Sequence, residues 1–182
     1  SNTAIGRLSL TANTTGASNS AVGAGSLLTN TTGADNVAVG VSSLRLNSTG
    51  CRNTAVGFES GKATTTGVEN TFIGRKAGLA HTTGNNNSVL GSFAFTSNTE
   101  GTGNVAVGKS ALTSNTTAAC NTAVGLEALT NATTGNRNTA VGSCSLYTNT
   151  TGTRNLALGH QALKANTEGA DNTAVGNDSL DA

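Results

Sequence analysis

The chain has no proline, no tryptophan and no methionine, and aromatic side chains make up only 3% of it. A large core filled with rings is therefore excluded, and whatever is buried must be small and aliphatic. Charge is scarce as well, at 10% of residues against about a quarter in ordinary domains, and it balances to +1. No basic surface is left to hold nucleic acid or an anionic membrane. No run of eighteen or more apolar residues occurs, so membrane insertion through a helix is not expected. Three cysteines, an odd and unpatterned set, supply neither a disulfide framework nor a metal motif.

What is present is a repeat. The chain divides without insertion into seventeen-residue units that open at Asn2, Asn19, Asn36, Asn53, Asn70, Asn87, Asn104, Asn121, Asn138, Asn155 and Asn172. The consensus reads N-T-A-V-G-x-x-[AS]-L-x-x-N-T-T-G-x-x, and its positions are numbered as columns 1 to 17. Repetition at a short fixed period is the signature of a solenoid, in which each unit buries its apolar face by stacking on its neighbours. The expected fold is all-β, a parallel β-helix or β-roll. It forms a single array over residues 1–182 that reads as a length of a longer fibre.

Each column has a physical task. Column 1 is always Asn, and column 12 is Asn apart from Thr64, His81 and Ala132. Stacked in register, these amides are expected to hydrogen-bond along the stack and to tolerate the left-handed backbone of a corner. Glycine fills column 5 throughout and column 15 except at Ala118, as expected where the chain bends or another backbone passes close. Column 4 is Val, Ile or Leu, column 8 is Ala or Ser, and column 9 is mostly Leu. These define a thin aliphatic interior. Every Lys, Arg, Asp and Glu falls in columns 6, 7, 10, 14 or 17, which marks those columns as solvent-facing.

The T-A-V element is short, β-branched and bounded by Asn and Gly, which predicts one strand per coil, with N-T-T as a candidate second strand. Columns 6 to 11, such as 126–131, place Ala and Leu side by side among good helix formers and are compatible with a short helical turn. At strand spacing each coil adds about 4.8 Å, so ten coils make a rod on the order of 50 Å long. Columns 3 and 4 are both apolar in every unit, although neighbouring strand residues point to opposite faces. Both faces of the strand are therefore expected to be buried. A seventeen-residue coil cannot cover both itself, and three rods around a common axis would do so.

The element Asn-Thr-Ala-Val-Gly, followed by Ala-Leu and Asn-Thr-Thr-Gly, resembles the shaft repeats of phage tail fibres and related surface fibres that end in an intramolecular chaperone. More distantly it is similar to the head repeats of trimeric autotransporter adhesins. The resemblance covers residues 2–182, although the adhesin heads have a shorter repeat and no chaperone segment is present in the chain. It implies a homotrimeric fibre, extracellular, on a cell surface or on a virion, concerned with attachment to a receptor or glycan.

Few residues suggest chemistry. The stretch GFESGKAT, residues 57–64, has the look of a phosphate-binding loop. However, it has one residue too few between its glycines, and Ala63 stands where a hydroxyl is needed. Gly57 is simply the column 5 glycine. Cys51, Cys120 and Cys144 occupy three different columns, and Cys51 and Cys120 lie four coils apart, roughly 19 Å at strand spacing, too far for a disulfide. His81 and His160 are five units apart and share no site. The charges of column 17 mix in sign, which suggests ion pairs between coils rather than a calcium ladder. Glycosylation sequons at Asn13, Asn30, Asn47, Asn86, Asn115, Asn131 and Asn149 read as by-products of the Asn-Thr-Thr-Gly bend. No catalytic constellation can be assembled, so no enzyme, no cofactor and no metal are expected.

Units four to six are the one irregular region and contain all four phenylalanines, Phe58, Phe72, Phe93 and Phe95. Phe72 replaces a column 3 Ala where Gly61 and Gly78 have replaced two column 9 leucines, which conserves core volume. Phe58 and Phe93 fall in solvent-facing columns and are candidates for a ligand or glycan contact. The leading functional expectation is a fibre shaft. The alternative is an ice-binding solenoid that uses the Thr ranks of columns 13 and 14 with the Asn of column 12.

Overall fold

The computed structural model describes residues 1–181 and is a parallel β-solenoid. Eleven three-residue strands, from β1 (Thr3–Ile5) through β4 (Thr54–Val56), β5 (Thr71–Ile73) and β6 (Ser88–Leu90) to β11 (Thr173–Val175), form one sheet in sequence order. Register follows the repeat, so each strand residue pairs with the residue seventeen positions on, as in Ala4 with Ala21 and Val56 with Ile73. Thr-Ala-Val forms the strand because β-branched side chains suit a pleated surface, and the column 5 glycine ends it at a φ near +130°, as at Gly23 and Gly108. Addition of a Cβ at Gly57 would bring it 2.5 Å from the Gly74 carbonyl oxygen of the next coil. That glycine is therefore required twice over.

Columns 6 to 11 are a run of turns, and no helix occurs among the described residues. The helical turn left open by the sequence is not formed. Column 7 and column 9 residues have positive φ in every coil, for example Glu59 at 55° and Leu129 at 53°. Their N–H groups also leave the coil: Glu59 donates back to Val41, whereas Leu129 donates forward to Ser145. A helix needs those groups within its own turn. Column 17 is left-handed as well, including Asp35, Arg52 and Arg154. The positive-φ positions are thus columns 5, 7, 9 and 17, not the ladder asparagines of columns 1 and 12. The second strand expected at N-T-T is likewise a bend. The N–H groups of Thr14, Thr15 and Gly16 all converge on the Thr31 carbonyl of the next coil.

The interior is half aliphatic and half amide. Column 3 Ala, column 8 Ala or Ser and column 9 Leu are almost fully buried in the inner coils, and so are the asparagines of column 1 and most of column 12. Leu in a left-handed conformation costs roughly 1–2 kcal/mol, which is offset by burying its side chain, about 1.5–3 kcal/mol. The asparagines brace the coil from within. Nδ2 of Asn36 donates to the Gly50 carbonyl of its own coil at 2.8 Å, while its Oδ1 accepts the Asn53 N–H of the next at 2.9 Å. Nδ2 of Asn47 donates to the same Gly50 carbonyl at 3.0 Å. Column 15 is glycine because two amides and the next coil's backbone crowd that point, and its φ is not in the left-handed region.

Candidate functional surfaces

The outward face of the sheet is the largest regular surface. Alternation along each strand turns column 3 inward and columns 2 and 4 outward, so column 4, expected in the aliphatic interior, lies instead on the outside of the coil. Val39, Val56, Ile73 and Val141 are each 36–38% exposed and Leu90 is 50% exposed. A continuous ladder of Val, Ile and Leu thus runs up the outside of the rod, flanked by the Thr and Val side chains of column 2. Exposed single apolar residues are ordinary, whereas here the exposure repeats in one column on successive coils.

The second surface is the irregular region. Inside it, the Phe72 ring fills the space of two missing leucines: a Cβ on Gly61 would lie 2.8 Å from Phe72 Cδ2, and one on Gly78 would overlap the same ring. Phe72, His81 and Phe95 stack in the interior, with centroids 5.1 Å and 6.2 Å apart along the series. His81 takes the place of a column 12 Asn. One ring nitrogen lies 2.8 Å from the Gly84 carbonyl, the bond an Asn would make, and the other lies 2.9 Å from Asn98 Oδ1. Burial lowers its pKa below the ordinary histidine value, against the opposing effect of those two acceptors.

Outside, Phe58 in column 6 is 46% exposed, and Arg75 in column 6 of the next coil lies over the Phe93 ring at 4.9 Å from its centroid. Phe93 is therefore half-buried under a guanidinium, while Phe58 is open. Beside them Glu59 binds Lys62 at 2.6 Å and Lys76 at 3.8 Å. The hydrogen bond from Lys62 holds the Glu59 carboxyl below its ordinary pKa. Arg75 has no carboxylate within ion-pair distance among the described residues.

The remaining candidates stay separate. Column 17 carries the expected ion pairs between coils, Arg52 with Glu69 at 2.8 Å and Arg154 with Asp171 at 2.5 Å. All three cysteines are free, and Cys51 has a local task the sequence did not suggest. Its Sγ accepts the Ala34 N–H of the preceding coil, as Asn85 Oδ1 does for Val68 and Asn136 Oδ1 for Ala119. Of the sequon asparagines, Asn30, Asn47, Asn115 and Asn149 are buried, Asn13 and Asn131 are part-buried, and Asn86 is exposed. Column 13 hydroxyls donate to the column 13 carbonyl of the next coil, as Thr31 does to Ser48 and Thr82 to Thr99. A single outward Thr rank remains in column 14, interrupted by Glu100 and Glu168. Among the described residues no group of three His, Cys, Asp or Glu side chains could hold a metal ion, and no helix is long and apolar enough to cross a membrane. No protein family, curated protein or solved structure matches this chain.

Proposed function

We propose that the chain is the shaft of an extracellular or virion fibre serving attachment, a tail fibre or adhesin, and that it assembles as a homotrimer. The observation that carries the reading is the unbroken column 4 ladder on the outside of the sheet. Burying it removes apolar surface from water at about 25 cal/mol per Å², repeated on every coil. One apolar column per coil is too narrow for two flat sheets to pack face to face. It suits the axis where three rods meet, a heterologous contact that closes on itself. The resemblance of the Asn-Thr-Ala-Val-Gly repeats to tail-fibre shafts and trimeric adhesin heads points the same way. The role is mechanical and adhesive rather than catalytic.

Column 4 substitutions test it. Val56→Asp combined with Val124→Asp places charge on the stripe while leaving the inward columns untouched. Light scattering should show loss of the assembled species with the β-sheet circular dichroism signal kept. An unchanged mass would remove the stripe from the interface.

A further inference from the structure

Two of the four phenylalanines are explained by the fold. Phe72 fills the volume left by Gly61 and Gly78, and Phe95 takes the place of a column 9 Leu in the interior. Phe58 and Phe93 are not explained this way. Nothing inside the coil calls for a ring in column 6 or 7: other coils carry residues as different as Ser, Lys, Gln, His160, Val41 and Leu126 there, and none carries a Phe, Tyr or Trp. They also stand beside a local cluster of cations. In columns 6, 7 and 10 of units four and five, Lys62, Arg75 and Lys76 face a single carboxylate, Glu59, a local excess of two positive charges, while Glu69 in column 17 and Glu100 in column 14 bring the three coils as a whole to neutrality.

We infer that columns 6 and 7 of units four to six form a binding surface for an acidic saccharide, with a sugar ring on Phe58 and its anionic group on Arg75. The inference rests on the attachment role proposed above and names its ligand class. An open aromatic face accepts the apolar side of a sugar ring, as aromatic side chains do at recognition surfaces generally. A guanidinium presents a planar fork of donors that matches carboxylate and sulfate geometry. Arg75 is held for this by its contact with Phe93, 4.9 Å from the ring centroid, which orients the cation without neutralising it. Lys76 adds charge beside it while still tied to Glu59 at 3.8 Å. Successive coils are spaced by about 4.8 Å, comparable to the length of one hexose ring. Sugars running along the rod therefore meet Phe58, Arg75 and Phe93 in turn. The surface is shallow, so affinity per site is low, and an assembled fibre compensates by presenting several copies.

The test uses the assembled protein and three immobilised probes: a heparin hexasaccharide, an oligogalacturonate and neutral maltohexaose. Binding to one or both acidic probes, weakening as salt rises, with none to maltohexaose, is the expected result. The two acidic arms distinguish sulfate from carboxylate as the anionic group. Phe58→Ala and Arg75→Gln should each weaken binding at least tenfold, whereas Lys109→Gln, a column 6 cation one coil beyond the patch, should leave it within twofold. No binding to either acid, equal binding to maltohexaose, or unchanged binding by the Phe58 and Arg75 variants overturns the inference. Mass in solution is measured on the same samples. An assembled protein that fails to bind removes the saccharide site and leaves the shaft reading standing, whereas a monomeric unsubstituted chain removes the shaft. If Phe58→Ala dissociates the assembly, the ring belongs to a contact between copies and the site assignment fails.

Discussion

Phe72 occupies the room that side chains on Gly61 and Gly78 would need, so three departures from the repeat amount to one change of shape. Restoring Leu at Gly78 alone overpacks the core and should destabilise by about 1–3 kcal/mol. Phe72→Ala alone should remove about 3–5 kcal/mol. The triple variant Phe72→Ala, Gly61→Leu, Gly78→Leu should recover most of both losses in denaturant unfolding, and simple addition of the losses would end the compensation account. Ala118 and Ala132 form a second linked pair. Elsewhere a column 15 Cβ would press on the column 12 amide of the next coil, as at Gly16 with Asn30, and Ala132 removes that amide where Ala118 introduces the Cβ. The first compensation was legible from sequence because all three residues lie in interior columns. The second was not, since it depends on a contact between one coil's column 15 and the next coil's column 12. His81 carries a pH dependence. Its pKa is lowered in the folded protein, so the unfolded chain binds a proton more readily. The stability it contributes is present above the unfolded value near 6.5 and is lost as pH falls through the folded value. Melting temperature should therefore drop between pH 7.5 and pH 5, and His81→Asn, which restores the column's usual residue, should flatten that drop. An identical slope in the variant would assign the effect elsewhere.

The strands and the turn section differ in how far local sequence determines them. Thr-Ala-Val forms the strand its composition predicts, and two adjacent apolar columns indicated a strand that is apolar on both faces, but which face points inward was not readable: column 4, assigned to the interior by its Val, Ile and Leu, faces outward, and column 3 fills the core. The turn section was not readable, because residues such as Glu127, Lys76 and Leu146 adopt positive φ against their own preference. The coil above and the coil below determine that conformation by taking the N–H groups of columns 7, 9 and 11. The asparagine ladders also turned out to be more than a stack of amides. Asn104 donates to the Ala118 carbonyl across its own coil at 2.9 Å, and its Oδ1 accepts from the Asn121 N–H at 3.0 Å. Asn104→Ala strands two buried backbone groups at roughly 1–3 kcal/mol each and should lower stability by about 2–6 kcal/mol. Asn115→Ala should have less effect. Its Nδ2 already lacks a partner beside Ala132, and Asn98, which donates to its Oδ1, keeps a second bond to the Thr116 carbonyl. Equal losses in the two variants would mean the column 1 cross-brace adds nothing beyond an ordinary buried amide.

At the scale of the molecule, the eleven strands make a single sheet whose inner face is sealed by its own coils and whose outer face is an apolar stripe. The sequence indicated that stripe through the paired apolar columns. The function remains a reading of surfaces, because columns 6, 7 and 17 vary from coil to coil and no repeat rule governs what they bind. A rod of this kind derives its stability from contacts between neighbouring coils and, in the proposed trimer, between copies. Its melting temperature should rise with protein concentration, and a concentration-independent value would weaken the case for assembly. The most direct measurement is sedimentation equilibrium of the unsubstituted chain in native buffer. A homotrimeric shaft should give a species about three times the 17.8 kDa chain mass, and a stable monomer across the micromolar range would contradict it.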